Sequence, residues 1–122
     1  MSLQNGRYPE TARVISKSDI KDLYEHLGAE LPGDIDNIPE KNLIVFSAGA
    51  EGMIFGMICA AVPEGADFCR IMTILLPAGY RTVDNITFLI GCICRAAGST
   101  GKIKKTVWRY VTSKSDDLDP YL

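Results

Sequence analysis

Residues 68–98, FCRIMTILLPAGYRTVDNITFLIGCICRAAG, decide how this chain folds. The run from Phe68 to Leu76 is nearly continuous in apolarity, which predicts a strand covered on both faces rather than one half-exposed to water. Pro77, Ala78 and Gly79 interrupt it. Thr82 or Asp84 then offers a helix cap. Ile86, Phe88, Leu89, Ile90 and Ile93 predict a helix apolar almost all round, running to about Ala97 and closed by Gly98 and Gly101. Such a helix belongs at the centre of a domain. Beyond it, Lys105 to Val111 alternates, with Thr106, Trp108 and Tyr110 on one face and Val107, Arg109 and Val111 on the other, so a final strand is expected. Strand, helix and strand in succession form a right-handed crossover, and the two strands should run parallel.

Working back toward the N-terminus, Met53 to Cys59 and Leu43 to Phe46 are β-rich runs. Ala48-Gly-Ala-Glu-Gly52 separates them as a hairpin turn, so they should pair antiparallel. Pro63 to Asp67 supplies the turn into the strand at Phe68. Ala29 to Asn42, with Pro32-Gly33 and Pro39, reads as a loop holding one short helical turn. Ile20, Leu23, Tyr24 and Leu27 fall on one helical face behind the capping box Ser16-Lys-Ser-Asp19, which predicts a helix over about 17–27 ended by Gly28. Ala12 to Ile15 reads as a short first strand. The order is β-α-β-β-β-α-β, an α/β (α+β) fold with a mixed sheet of about five strands, a β-hairpin and a central packing helix. Residues 1–11 are expected to be an N-terminal tail, 12–115 the domain, and 116–122 a C-terminal tail or the start of a further segment.

A chain of 122 residues has room for one hydrophobic core. Its 47% hydrophobic and 23% charged residues fit a folded domain rather than a disordered one. Net charge is −2. The basic residues Lys102, Lys104, Lys105 and Arg109 are too few for a nucleic-acid footprint, so no nucleic-acid partner is expected. The longest apolar stretch, Ile86 to Cys94, falls well short of the roughly 18 residues that span a bilayer, which argues against a membrane partner. No secretory signal pattern opens the chain, and the expected location is cytoplasmic. Cys59, Cys69, Cys92 and Cys94 lie inside apolar runs, which predicts buried, reduced thiols. Cys92 and Cys94 would point about 200° apart on a helix and could not share a metal or redox site. His26, the only histidine, is expected to face solvent on its helix. No Ser-His-Asp triad, His-based metal site, phosphate loop or dinucleotide fingerprint is present, and no metal is expected.

The element order, with a hairpin before a strand-helix-strand unit, resembles the core of the GNAT N-acyltransferases. Leu43-Ile-Val-Phe-Ser-Ala-Gly-Ala-Glu-Gly-Met-Ile-Phe-Gly56 is similar to the family's second and third strands. Ile74-Leu-Leu-Pro-Ala-Gly-Tyr-Arg81 is similar to its fourth strand running into the pyrophosphate loop, and Leu89 through Ala96-Ala97-Gly98 matches the spacing of the helix behind it. The resemblance covers about residues 12–115 and implies an acyl-CoA donor, acetyl-CoA or another. It would place the coenzyme on Ile74, Leu75, Leu76, Arg81 and Thr82. Strand residues 73–76 would take the pantetheine arm.

The resemblance is also degenerate. The family's loop, R/Q-x-x-G-x-G/A, uses glycines so that backbone N–H groups at a helix N-terminus can approach the phosphates. Counted from Arg81, those positions hold Asp84 and Ile86, a negative charge and a β-branched side chain. The candidate proton carriers implied by the family are Tyr121, one place short of the usual tyrosine spacing, and the turn carboxylates Glu64 and Glu51. The family continues with two more strands, whereas this sequence reaches Leu122, so a homodimer or a longer parent chain is expected to cover the last strand. Two functions follow: an acyl-CoA-dependent N-acyltransferase with an altered coenzyme loop, or a non-catalytic module of the same shape that binds a ligand or partner or regulates an enzyme elsewhere in a longer chain. An unrelated α/β fold with a dimerising edge strand is a third alternative.

Overall fold

A computed structural model describes residues 8–99, 101 and 105–108. Alternation and helical periodicity resolve into β1 (Glu10–Val14), α1 (Lys17–His26), α2 (Gly33–Asp36), β2 (Leu43–Ala50), β3 (Met53–Ala61), β4 (Phe68–Leu75), α3 (Val83–Gly98) and β5 (Lys105–Trp108), with single 3-10 turns at Glu40–Asn42 and Ala78–Tyr80. The sheet order is β1-β2-β3-β4-β5. Strands β1 to β4 form an antiparallel sheet. β5 adds to it in parallel, with Phe68 opposite Lys105 and Ile71 opposite Trp108, as the crossover rule requires. Residues 109–111 of the expected last strand lie outside the described residues.

The two long helices form where their caps and apolar stripes coincide. Ser16 Oγ accepts from the Asp19 amide at 3.1 Å and starts α1. Ile20, Leu23 and Tyr24 are buried on one side of that helix, and Gly28 leaves it with φ +79°, the left-handed exit a glycine allows. In α3 the cap is Thr82, whose Oγ1 accepts from the Asn85 amide at 3.1 Å, and Asp84 sits in the first turn instead. Ile86, Leu89, Ile93 and Ala97 form the buried stripe of α3.

The sheet separates two cores. On one face, α3 packs over Ile44, Ala48, Ile58, Ala60, Cys69 and Ile71. On the other, α1 and Ile35 of α2 cover Leu43, Val45, Met57, Cys59 and Ala61. Cys69, Ile71 and Ile74 of β4 serve the first face, and Met72 and Leu75 serve the second, so β4 is covered on both sides as its composition predicts.

Several local expectations shift. The first strand starts two residues and ends one residue earlier than expected and leaves Ile15 exposed, because main-chain pairing of Glu10 with Gly49 extends it without needing apolar side chains. The 29–42 connection holds α2 and a 3-10 turn rather than one helical turn. Ala48, Gly49 and Ala50 belong to β2, and only Glu51 and Gly52 make the hairpin turn, both at positive φ. Cys94 is exposed while Cys59, Cys69 and Cys92 are buried, because two residues along α3 turn a side chain to the opposite side. None of the four forms a disulfide.

Candidate functional site

The site indicated by the sequence lies where β4 ends and α3 begins. After the buried Leu76, Pro77 opens a 3-10 turn, and the chain folds back on itself through side chains as well as backbone. Arg81 Nη2 donates to the Leu76 carbonyl at 3.0 Å. The Tyr80 carbonyl accepts from the Thr82 amide at 2.9 Å and from Asn85 Nδ2 at 2.8 Å. Asn85 is buried, so its amide acts as an internal brace that joins the loop to the helix. The Tyr80 ring stacks on Phe55 of β3 at 4.2 Å between centroids. Of the expected coenzyme residues, Ile74 and Leu75 end β4 on opposite faces of the sheet, Leu76 follows buried, and Arg81 and Thr82 lie across the loop at the start of α3. Arg81 spends at least one of its N–H groups on the loop itself.

The two altered glycine positions differ in consequence. Ile86 is 4% exposed and packs in the core under α3, so its side chain turns away from the helix end. Asp84 is exposed in the first turn, where amide groups point outward along the axis and a carboxylate is favoured by the helix dipole. A diphosphate approaching that helix end meets one obstruction, Asp84, rather than two.

Two bulges shape the neighbouring strands. The β2–β3 register slips between Ala48 and Gly49 and leaves Phe55 unpaired, and this sends the Phe55 ring onto Tyr80 and the α3 side. The β3–β4 register slips between Cys59 and Ala60 and leaves Met72 unpaired. Gly56 fits between these features because the strands crowd there. A Cβ on it would lie 2.6 Å from the Leu75 carbonyl oxygen and 2.7 Å from Leu76 Cδ2. The glycine that ends Ile54-Phe-Gly56 thus has a steric cause.

Beside the Met72 bulge, Tyr24 of α1 donates its hydroxyl to Thr73 Oγ1 at 3.0 Å, and the Cys59 thiol lies within hydrogen-bonding reach of the same phenol. Burial holds the Tyr24 phenol protonated far above its ordinary value, with Cys59 adding to the effect. Burial likewise pushes the Cys59 thiol up to about 12, opposed by its hydrogen bond to Tyr24 and reinforced by the charge of Asp34. Sequence reading places Tyr24 in the core and Cys59 in a strand, but does not bring them together with Thr73.

The candidate proton carriers are scattered. Glu51 is in the hairpin turn at one end of β3, with φ +54°, and Glu64 is in the turn at the other end. The nine residues of β3 separate them by roughly 30 Å. Only Glu51 is at the end of the sheet where β4 meets α3. Tyr121 lies outside the described residues. His26 is exposed as expected, yet its Nε2 lies 3.0 Å from the Ile54 carbonyl and ties the end of α1 to the start of β3. Among the described residues no group of three or more His, Cys, Asp or Glu side chains gathers as a metal site would. No helix among them is long and apolar enough to cross a membrane.

No protein-family model and no curated protein matches the sequence. Solved structures do. An aminoglycoside acetyltransferase from an uncultured soil metagenomic sample, in complex with trehalose, superposes with a TM-score of 0.69 at 15% identity, over 98% of this chain and 87% of that one. An aminoglycoside N-acetyltransferase in complex with CoA gives 0.63 at 16% identity, over 92% and 87%. A predicted acetyltransferase from Clostridium acetobutylicum, with acetyl-CoA, gives 0.61 at 13% identity, over 93% and 88%. The architecture is the GNAT acetyltransferase fold.

Proposed function

We propose that this chain binds an acyl-CoA at the junction of β4 and α3 and transfers the acyl group to an amine. The observation that carries the reading is that junction: the bulged β4 and the braced 76–85 loop are set in a fold shared with structures solved with CoA and acetyl-CoA. Ile74, Leu75 and Leu76 would line the donor's arm, and Thr82 with the first turn of α3 would face its phosphates. In the reaction the amine nitrogen attacks the thioester carbonyl. The C–N bond forms as the C–S bond breaks, and the proton lost by the amine ends on the departing thiolate. Glu51 is the carboxylate candidate on the correct end of the sheet, and no acceptor is assigned.

Asp84 favours a second reading, a non-catalytic module with this fold, because a fixed carboxylate at the helix end opposes a diphosphate. Acetyl-CoA separates the two. A donor at a hundred times its Kd stabilises the native state by about 2.7 kcal/mol, which is read as a rise in Tm. The wild type is expected to show such a rise at millimolar acetyl-CoA, and Asp84→Gly to bind up to about fivefold more tightly, on the scale of an exposed charge at a helix end. Ile86 is left in place because it is core. If neither protein gains Tm, the acyltransferase reading fails and the module reading stands.

A homodimer, or inclusion in a longer chain, forms part of the proposal, since β5 is an edge of the sheet among the described residues. Light scattering at about 100 μM should give twice the monomer mass if the cover is a second copy. A monomeric mass would remove the dimer.

A further inference from the structure

Strand β4 changes face in mid-run. Ile71 and Ile74 both pack on the α3 side although they are three residues apart, which strict alternation forbids. The break is at Met72, the residue that β3 does not pair, since Ala60 faces Ile71 and Cys59 faces Thr73. It leaves Met72 and Thr73 together on the α1 side, where Thr73 Oγ1 accepts the Tyr24 hydroxyl at 3.0 Å.

The unbulged alternative shows what this contact decides. Without the extra residue, Thr73 would turn to the α3 side opposite Ile58 and beside Ile71, its hydroxyl set into an apolar cluster, and Ile74 would turn to the α1 side. Tyr24, 1% exposed, would keep a buried hydroxyl facing only the Cys59 sulfur. Both losses penalise the slipped register, because a buried polar group without a partner bears its full desolvation cost. The surrounding apolar side chains discriminate less, since Ile, Leu and Met suit either face.

We infer that Tyr24 is a positioning residue: through its hydrogen bond to Thr73 it selects the bulged register of β4 and fixes the phase in which residues 73–76 present their backbone at the junction with α3. The register claim stands on these contacts. The assignment of that backbone to a donor's arm rests on the acyltransferase reading.

The test uses Thr73→Val, which keeps the shape and removes the acceptor, Thr73→Ser, which keeps the hydroxyl, and the double variant Tyr24→Phe/Thr73→Val. Native-state amide exchange is followed at residues 72–75 and, as reference, at 44–46 in β2. Thr73→Val is expected to speed exchange at 72–75 by about tenfold relative to the reference, while Thr73→Ser stays near wild type. Removing both polar groups should recover the stability lost in Thr73→Val, yet exchange at 72–75 should stay fast. A hydrogen bond that only stabilised the core would let both recover together, and that result overturns the proposal. Exchange within about threefold of wild type in Thr73→Val overturns it as well. Should Thr73→Val not fold, Tyr24→Phe alone carries the same measurement.

Acetyl-CoA affinity gives the functional arm. It should weaken about tenfold in Thr73→Val and remain weak in the double variant. If the wild type binds no acetyl-CoA, the acyltransferase reading fails while exchange still decides the register claim. If the wild type binds and affinity is unchanged in the variants, the link from register to donor is overturned.

Discussion

The sheet face under α3 and the face under α1 are each covered by an amphipathic helix, but they are filled differently. The α3 face has an aliphatic centre, from Ile44 and Ile58 in the sheet to Ile86, Leu89 and Ile93 in the helix, with Phe46, Phe55, Tyr80 and Phe88 packed around it. The α1 face contains a polar contact, Tyr24 with Thr73, next to the buried Cys59. An aliphatic face contributes most of its stability by area and accepts any register that keeps apolar groups inside. A buried hydroxyl pair contributes less, but it is satisfied in one register only.

The largest expected effect falls on the aliphatic face. Leu89 is fully buried, and Leu89→Ala should cost about 2–5 kcal/mol in urea unfolding through lost burial and a cavity. A loss below about 1 kcal/mol would mean that this face collapses around the gap and is less closely packed than its burial indicates. On the other face, Thr73→Val should cost about 1–3 kcal/mol, since the buried Tyr24 hydroxyl loses its oxygen acceptor and keeps the weakly bonding Cys59 sulfur.

Within the first pH unit above 9.0, the smallest effect is one of pH. The folded protein holds the Cys59 proton up to about 12, whereas an unfolded thiol releases it near 9.0, so the unfolded state gains as pH rises between those values. The stabilisation is complete below 9.0 and is lost towards about 12. Its slope approaches about 1.4 kcal/mol per pH unit for one proton. Urea midpoints should fall more steeply for wild type than for Cys59→Ala above pH 9.0, while Leu89→Ala lowers the midpoint without altering that slope. Equal slopes for wild type and Cys59→Ala would show that the α1 face admits water in the folded state.

Much of this was legible in the sequence, for reasons that can be traced. Ser16 and Thr82 announce their helices because a hydroxyl three residues before an amide satisfies it locally. The hairpin, the crossover and the covering of β4 on both faces follow from period and apolarity. Ile86 carried two conflicting signals, a phosphate-loop position by resemblance and a core position by its spacing to Leu89 and Ile93. The core signal decides its side chain. The Asn85 brace escaped notice, since an asparagine in a first helical turn has many partners to choose from. Glu51 and Glu64 both read as turn carboxylates flanking one strand, and the pairing of β3 with β4 shows that Glu51 shares the end where β4 meets α3.

The bulges at Phe55 and Met72 could not be read at all. Met72 lies in Ile71-Met-Thr-Ile74, where nothing local distinguishes a paired residue from an unpaired one. Which residue is skipped depends on what faces it: Cys59 and Ala60 across the strand, and the Tyr24 hydroxyl above.

The sequence by itself determined the order of the elements, their caps and the apolar stripe of each helix, because those are set by neighbours a few residues apart. Tertiary structure alone decided the register of β4, the packing of Phe55 on Tyr80, and the meeting of Tyr24, Cys59 and Thr73. Register is a relation between strands, and its energy lies in contacts between residues distant in the chain.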